Sequence, residues 1–375
     1  MVTFSGTLAM HVFVPALPAA AVDLGAGVAT MQMAVSLYIL GLALGQLLYG
    51  PVSDRFGRRG TLMAGMALYT AAGLAAAIAP DAQALILARL LQALGGCAGL
   101  VLARAIVRDV AAPTEAARRL ALMNLMVTLG PAVAPLLGSA LALHAGWCSI
   151  FVVLAGLGAA NLLLTWRMLP ETAARDGAVA TAALVRNYLQ LLRSPAFLGY
   201  AVGGGCATTS MYAFIAVAPF VFTRQLGRPA YEVGPLLALL VLGVWAGSIL
   251  ASRLVGRLPL RRLLVGANAV SVLAALLLLG VVLAGQLSVT WVVGTMFLFT
   301  LGVGTAAPAA LAQAIGVNPL VIGSASGLYG FTQMAVGAAC TALAGLGPDP
   351  ALAAALVLAA AGLVAQLSFQ IATRA

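Results

Sequence analysis

Long apolar runs, punctuated by glycine, proline and charge, dominate this sequence. Twelve can be delimited, at 2–22, 31–52, 61–79, 82–104, 119–143, 147–168, 196–222, 232–252, 263–284, 288–311, 323–346 and 350–371. A helix needs about 20 apolar residues to cross the hydrocarbon layer of a bilayer. The pattern therefore predicts an all-α membrane protein of twelve transmembrane helices joined by short loops, with no length left for a soluble domain. The longest polar stretch, 169–195, holds Glu171, Arg175, Asp176, Arg186 and Arg193 and predicts a linker between two six-span halves, 1–168 and 196–375.

Composition excludes the water-soluble alternatives. The chain is 63% hydrophobic and 7% charged, whereas a soluble domain carries roughly 25% charged residues, so no soluble fold hides this much apolar surface. A formal net charge of +10 would suggest nucleic-acid binding in a soluble protein, but its placement argues against that. Every basic residue is an arginine, and the arginines fall in alternate loops: Arg55, Arg58 and Arg59; Arg104, Arg108, Arg118 and Arg119; Arg167, Arg175, Arg186 and Arg193; Arg253, Arg257, Arg261 and Arg262; and Arg374 in the tail. Only Arg224 and Arg228 fall on the other side, and Arg89 lies within a run. The positive-inside rule then places both termini and the arginine-rich loops in the cytoplasm. Cys97, Cys148, Cys206 and Cys340 lack the spacing of a disulfide framework or a metal site, so no metal is expected. His11 and His144 are the only histidines and neither lies beside an acid, which argues against a membrane-embedded enzyme. The first run has no basic residue before it and reads as a span, not a signal peptide.

Three motifs carry chemistry. Gly50-Pro51-Val52-Ser53-Asp54-Arg55-Phe56-Gly57-Arg58-Arg59 follows the second run and resembles the signature loop of the major facilitator superfamily. Its glycines allow close helix approach, Asp54 can face a helix N-terminus, and Arg55, Arg58 and Arg59 can pair with acids on the facing half. With Asp109, after the fourth run, these residues form a candidate conformational latch; the alternative is a solvated loop. Arg89-Leu90-Leu91-Gln92-Ala93-Leu94-Gly95-Gly96 resembles the second motif of the same superfamily, which implies a role for Arg89 and Gln92 in proton transfer or substrate binding. Counting about 1.5 Å per residue from Asp81 puts Arg89 roughly 12 Å deep, where a charge is costly unless it faces a polar cavity; satisfaction by backbone carbonyls is the alternative. Gly130-Pro131-Ala132-Val133-Ala134-Pro135-Leu136-Leu137-Gly138 resembles the antiporter motif of exporters, with Ala134-Pro135 where a glycine pair is usual. Gly130, Pro131, Pro135 and Gly138 predict a bent helix packed closely against the other half.

Val14-Pro15-Ala16-Leu17-Pro18, the stretch from Tyr38 to Pro51, Arg104-Ala105-Ile106-Val107-Arg108-Asp109 and Ala218-Pro219-Phe220-Val221 are similar to the Bcr/CflA family of multidrug exporters. Ser53-Asp54-Arg55-Phe56-Gly57-Arg58 is echoed after the eighth run by Ser252-Arg253-Leu254-Val255-Gly256-Arg257, matching at Ser, Gly and Arg. An echo of this kind fits the two parallel repeats of major facilitator transporters, whose substrate site lies near the midplane. The resemblance implies export of small amphipathic drugs such as bicyclomycin or chloramphenicol-like compounds in exchange for protons. It also implies alternating access in a bacterial inner membrane by a monomer that needs no cofactor beyond the proton gradient. One position departs from the family. An aspartate is usual four residues before the first proline of span one, and here the position is His11, whose imidazole can carry a proton near neutral pH. Three readings stay open for it: proton coupling, substrate contact, or a tolerated core histidine. Family members begin with a longer lead-in, so the start is expected upstream of Met1. Tyr38, Gln46, Tyr212, Phe214, Trp245, Phe331 and Gln333 are candidates for lining a greasy cavity, although such residues more often serve as packing. A metabolite facilitator or importer on the same fold, or a non-transporting sensor, are the rival readings.

Overall fold

The computed structural model describes residues 2–110, 113–172, 181–318 and 321–372. They form helices α1 (Val2–Asp23), α2 (Val28–Phe56), α3 (Arg58–Ala77), α4 (Ala82–Val110), α5 (Pro113–Ala145), α6 (Cys148–Met168) and α7 (Thr181–Leu192). These are followed by α8 (Pro195–Gln225), α9 (Ala230–Leu254), α10 (Leu260–Leu283), α11 (Val289–Gly316), α12 (Ile322–Ala344) and α13 (Pro350–Ala372). Ten of these are long and apolar enough to span a membrane. The other two spans are α5, 33 residues long, and α12, 23 residues long. Ser324, Ser326, Thr332 and Gln333 dilute the hydropathy of α12 without shortening it. Among the described residues, the extended structure is a single isolated bridge between Val255 and Leu258.

Several helices overrun their apolar runs. At the start of α5, Pro113 takes the first helical position, where its missing N–H costs nothing. Glu115 and Arg119, one turn apart, pair at 2.9 Å and carry the helix beyond the bilayer edge. Span one is not a continuous α-helix: a 3₁₀ turn at Val14–Ala16 interrupts α1, because Pro15 and Pro18 have no N–H for the carbonyls four residues back. The linker contains α7, an amphipathic helix that apolar runs alone do not reveal. Arg175, Asp176 and Arg374, and the side chains of Arg108 and Arg118, lie outside the described residues.

The chain divides into two compact units, Met1–Ala183 and Leu184–Ala375, each holding six spans. In the first, α4 packs on α2 and α3, α3 on α6, and α1 on α5. In the second, the same order recurs as α11 on α9 and α10, α10 on α13, and α8 on α12. Lipid tails are as apolar as leucine, so helices associate through small residues and interhelical hydrogen bonds. Gly45 of α2 lets Cys97 of α4 come so close that a Cβ would stand 2.5 Å from the cysteine's own. At the matching joint of the second unit, the Thr305 hydroxyl of α11 donates to the Gly247 carbonyl of α9 at 3.1 Å, and where α10 meets α11 the Ser271 hydroxyl donates to the Phe299 carbonyl at 3.0 Å. Leucines such as Leu163, Leu164, Leu276 and Leu277 stay exposed, as a surface in hydrocarbon allows.

Candidate functional site

The first unit holds an arginine with no exposed surface. Arg89 of α4 donates through Nη1 to Gln92 Oε1 at 2.7 Å and through Nη2 to the Ala9 carbonyl of α1 at 2.9 Å. Its guanidinium lies 3.9 Å from the ring centre of Tyr38 of α2, and 5.7 Å from those of Phe13 of α1 and Phe151 of α6. A desolvated cation over an aromatic face gains about 2 kcal/mol, so the rings offset part of the several kcal/mol that burying the charge costs. Tyr38 is fixed in turn by its hydroxyl, which donates to the Gly6 carbonyl at 2.9 Å. Tyr69 and Asn161 complete the cage by bonding Ser5, at 3.3 Å to its carbonyl and 3.4 Å to its hydroxyl. Among the described residues no carboxylate pairs with Arg89, and its Nε and the Gln92 Nε2 have no protein partner. His11 is also buried, two residues along α1 from the carbonyl that holds Arg89.

Sequence reading marked Arg89, Gln92 and His11, and the structure places all three in this core. Tyr38, a candidate cavity residue, is fully buried as the plate against which Arg89 stacks. No spacing rule links Tyr38 to Arg89; only the packing of α2 on α4 does.

Near the other end of these spans the latch residues converge. Gly57, at φ +92°, breaks α2 from α3. Arg58 pairs with Asp54 of α2 and, through Nε, with Asp109 of α4 at 3.1 Å, while also donating to the Ser53 hydroxyl. The acids that hold Arg58 thus belong to its own unit, whereas the sequence suggested acids on the facing half. The N-terminus of α3 is occupied by Glu171, just past α6. Its carboxylate accepts from the backbone N–H groups of Arg58 at 2.8 Å and Arg59 at 3.3 Å, where the helix dipole favours an anion. Asp54 turns its carboxylate to Arg58. Arg59 reaches the Trp166 carbonyl at 2.7 Å, and Arg55 lies 5.3 Å from the ring centre of Phe56. Gly50 is half-buried with open space where a Cβ would project. Glu171 was placed by sequence only in the linker; the usable signal was an acid directly after a span on the arginine-rich side.

The antiporter motif packs inside its own unit as well. A Cβ on Gly130 would meet the Thr7 hydroxyl at 2.7 Å, and one on Gly138 would collide with the Val12 carbonyl. Within this unit the motif's glycines make a close approach to α1, and α5 runs helical through Pro131 and Pro135. In the second unit, Gln333 of α12 donates to the Thr208 hydroxyl of α8 at 2.7 Å, and the Thr209 hydroxyl donates to the Gln333 carbonyl at 2.7 Å. Tyr212 of α8 lies beside Gly337 of α12 on the same joint. Phe214 is buried, edge-on to Phe222, with ring centres 6.5 Å apart. Gln46, Trp245 and Phe331 are half-buried.

Solved structures share this architecture at low identity. A POT family transporter in complex with 5-aminolevulinic acid superposes with a TM-score of 0.80 at 14% identity, covering 99% of this chain and 93% of the other. A D-xylose-proton symporter gives 0.74 at 15%, covering 97% and 95%. The fold is that of a multi-pass membrane transporter. The chain belongs to the Major Facilitator Superfamily, whose family model matches residues 1–342. It is 31% identical to a chloramphenicol resistance protein of Pseudomonas aeruginosa over 86% of this chain and 77% of that one. It is 29% identical to the uncharacterized MFS-type transporter YdgK of Bacillus subtilis over 98% and 92%, and 26% identical to the multidrug transporter MdfA of Yersinia pestis over 89% and 82%.

Proposed function

We propose that this protein exports small amphipathic drugs, chloramphenicol-like compounds among them, in exchange for protons. In this reading it is a monomer in the bacterial inner membrane, with both termini in the cytoplasm, and works by alternating access without a cofactor. The observation that carries the reading is the buried Arg89, a cation deep in the membrane with spare donor capacity and aromatic walls. Such a group attracts the acceptor atoms of a small ligand, and the surrounding rings take its apolar body. Relatives named for multidrug transport and chloramphenicol resistance point to the same substrate class.

His11 is our choice for the proton carrier. It is the ionisable residue nearest in sequence to the Ala9 carbonyl on Arg89, and it stands where the family's span-one aspartate would. The described acids, Asp23, Asp54, Asp81, Asp109, Glu115, Glu171, Glu232 and Asp349, fall at helix ends or in loops. Replacement of His11 by Asp should shift the pH dependence of transport, since the imidazole gains a charge on taking up a proton and the carboxylate loses one; an unchanged profile removes His11 from the coupling role.

Everted vesicles test the exchange. Chloramphenicol added after a pH gradient has been set should dissipate it in vesicles holding this chain and not in controls. Drug movement indifferent to the gradient would instead mark a facilitator, and no movement would leave a sensor.

A further inference from the structure

The second unit carries a groove of about 200 Å³ bounded by α9, α10 and α11. Its floor is Leu263, Ala267, Gly302 and Thr305, all buried, and its rim is formed by the exposed Leu250, Leu258, Arg262 and Gly266. The Thr305 hydroxyl is already engaged with the carbonyls of Gly247 and Leu301, so the floor offers a ligand no free polar atom. Drug-sized sites run to roughly 300–1,000 Å³ with several convergent polar groups; this groove is smaller and wholly apolar apart from one end. That end is Arg262, on the first turn of α10, where the helix meets the membrane interface. From Arg262 to Val270 the groove follows α10 for about 12 Å.

The charge around that end has no compensating carboxylate among the described residues. Arg253, Arg257, Arg261 and Arg262 are all exposed, and none forms an ion pair with a described carboxylate. The described acids of this unit are engaged elsewhere, Glu232 with Arg228 and Asp349 with Gln225. A narrow apolar slot in a lipid-spanning segment, ending on arginines that no described carboxylate pairs, matches an amphiphile with one anionic head. We propose that the groove is a binding site for an anionic phospholipid, with part of an acyl chain along α10 and the phosphate on Arg262. Gly266 keeps the slot open, because a Cβ there would meet no atom within 4 Å.

The test uses the full chain in mild detergent, titrated with phosphatidylglycerol or with phosphatidylcholine of the same acyl chains, bound lipid being counted by native mass spectrometry. Phosphatidylglycerol should bind saturably and about fivefold more tightly, the worth of one arginine near an anionic headgroup. Arg262→Gln should erase that preference. Gly266→Leu, filling open space, should remove both lipids while leaving thermal unfolding unchanged; if it lowers the unfolding temperature, Leu258→Asn at the exposed rim must weaken both lipids instead. Equal binding of the two lipids by the wild type, or a phosphatidylglycerol adduct that survives filling of the groove, would overturn the proposal. So would inorganic phosphate displacing phosphatidylglycerol from the wild type, which would reduce the site to an anion contact on Arg262.

Discussion

The loops that follow the second span of each unit share a backbone device and differ in their charge. Gly57 and Gly256 both adopt left-handed backbone angles, φ +92° and +87°. Ser53 and Ser252 both donate to the carbonyl three residues back, at 2.9 and 2.7 Å. In the first loop Arg58 is held by Asp54 and Asp109, and Glu171 caps the next helix. In the second, Arg253 replaces the aspartate, and Arg257 has no carboxylate partner among the described residues. The chain reversal has been kept in both repeats. Among the described residues, a network that ties four helices of one unit together is found in the first, while the second presents arginines with no described carboxylate partner.

The largest expected contrast is functional. Asp54→Asn should abolish transport while leaving membrane insertion intact, whereas Arg253→Gln, at the matching position, should retain at least half the activity in the vesicle assay. Full activity in Asp54→Asn would remove the latch. The next contrast is in stability. Gly57→Ala and Gly256→Ala should each cost about 1 kcal/mol or more through backbone strain. Gly57→Ala should cost more, because its Cβ would stand 2.5 Å from Glu171 Oε2 whereas nothing lies near that of Gly256. Equal unfolding temperatures for the two variants in detergent would show that Glu171 does not sit there. The smallest effect belongs to Glu171→Gln, which keeps an acceptor and loses a charge at a helix N-terminus. About 0.5 kcal/mol is expected, shrinking as salt is added, and a loss that salt does not change would point away from the dipole.

Much of this was legible in the sequence because membrane helices announce themselves by length and apolarity. Arginine placement and the latch motif drew attention to the loop after the second span, and Arg89 stood out as a charge inside an apolar run. What stayed hidden depends on which helices touch. Glu171 meets Arg58 across more than a hundred residues of chain, and no local pattern joins them. Tyr38 reads as an aromatic at middle depth until α2 is packed on α4, after which its ring lies against the guanidinium. Gly130 and Gly138 signalled a close helix contact but could not name α1 as the partner. The helix α7 escaped because its apolar positions are too few to form a run, and periodicity is its only sign.

Accumulation of labelled chloramphenicol in an efflux-deficient bacterial host tests the central claim most directly, with cells carrying the wild type, Asp54→Asn or no copy of the chain. Wild-type cells should hold less drug than the other two, and an uncoupler that collapses the proton gradient should erase the difference. Equal accumulation in all three, or a wild-type deficit that survives the uncoupler, would contradict proton-driven export.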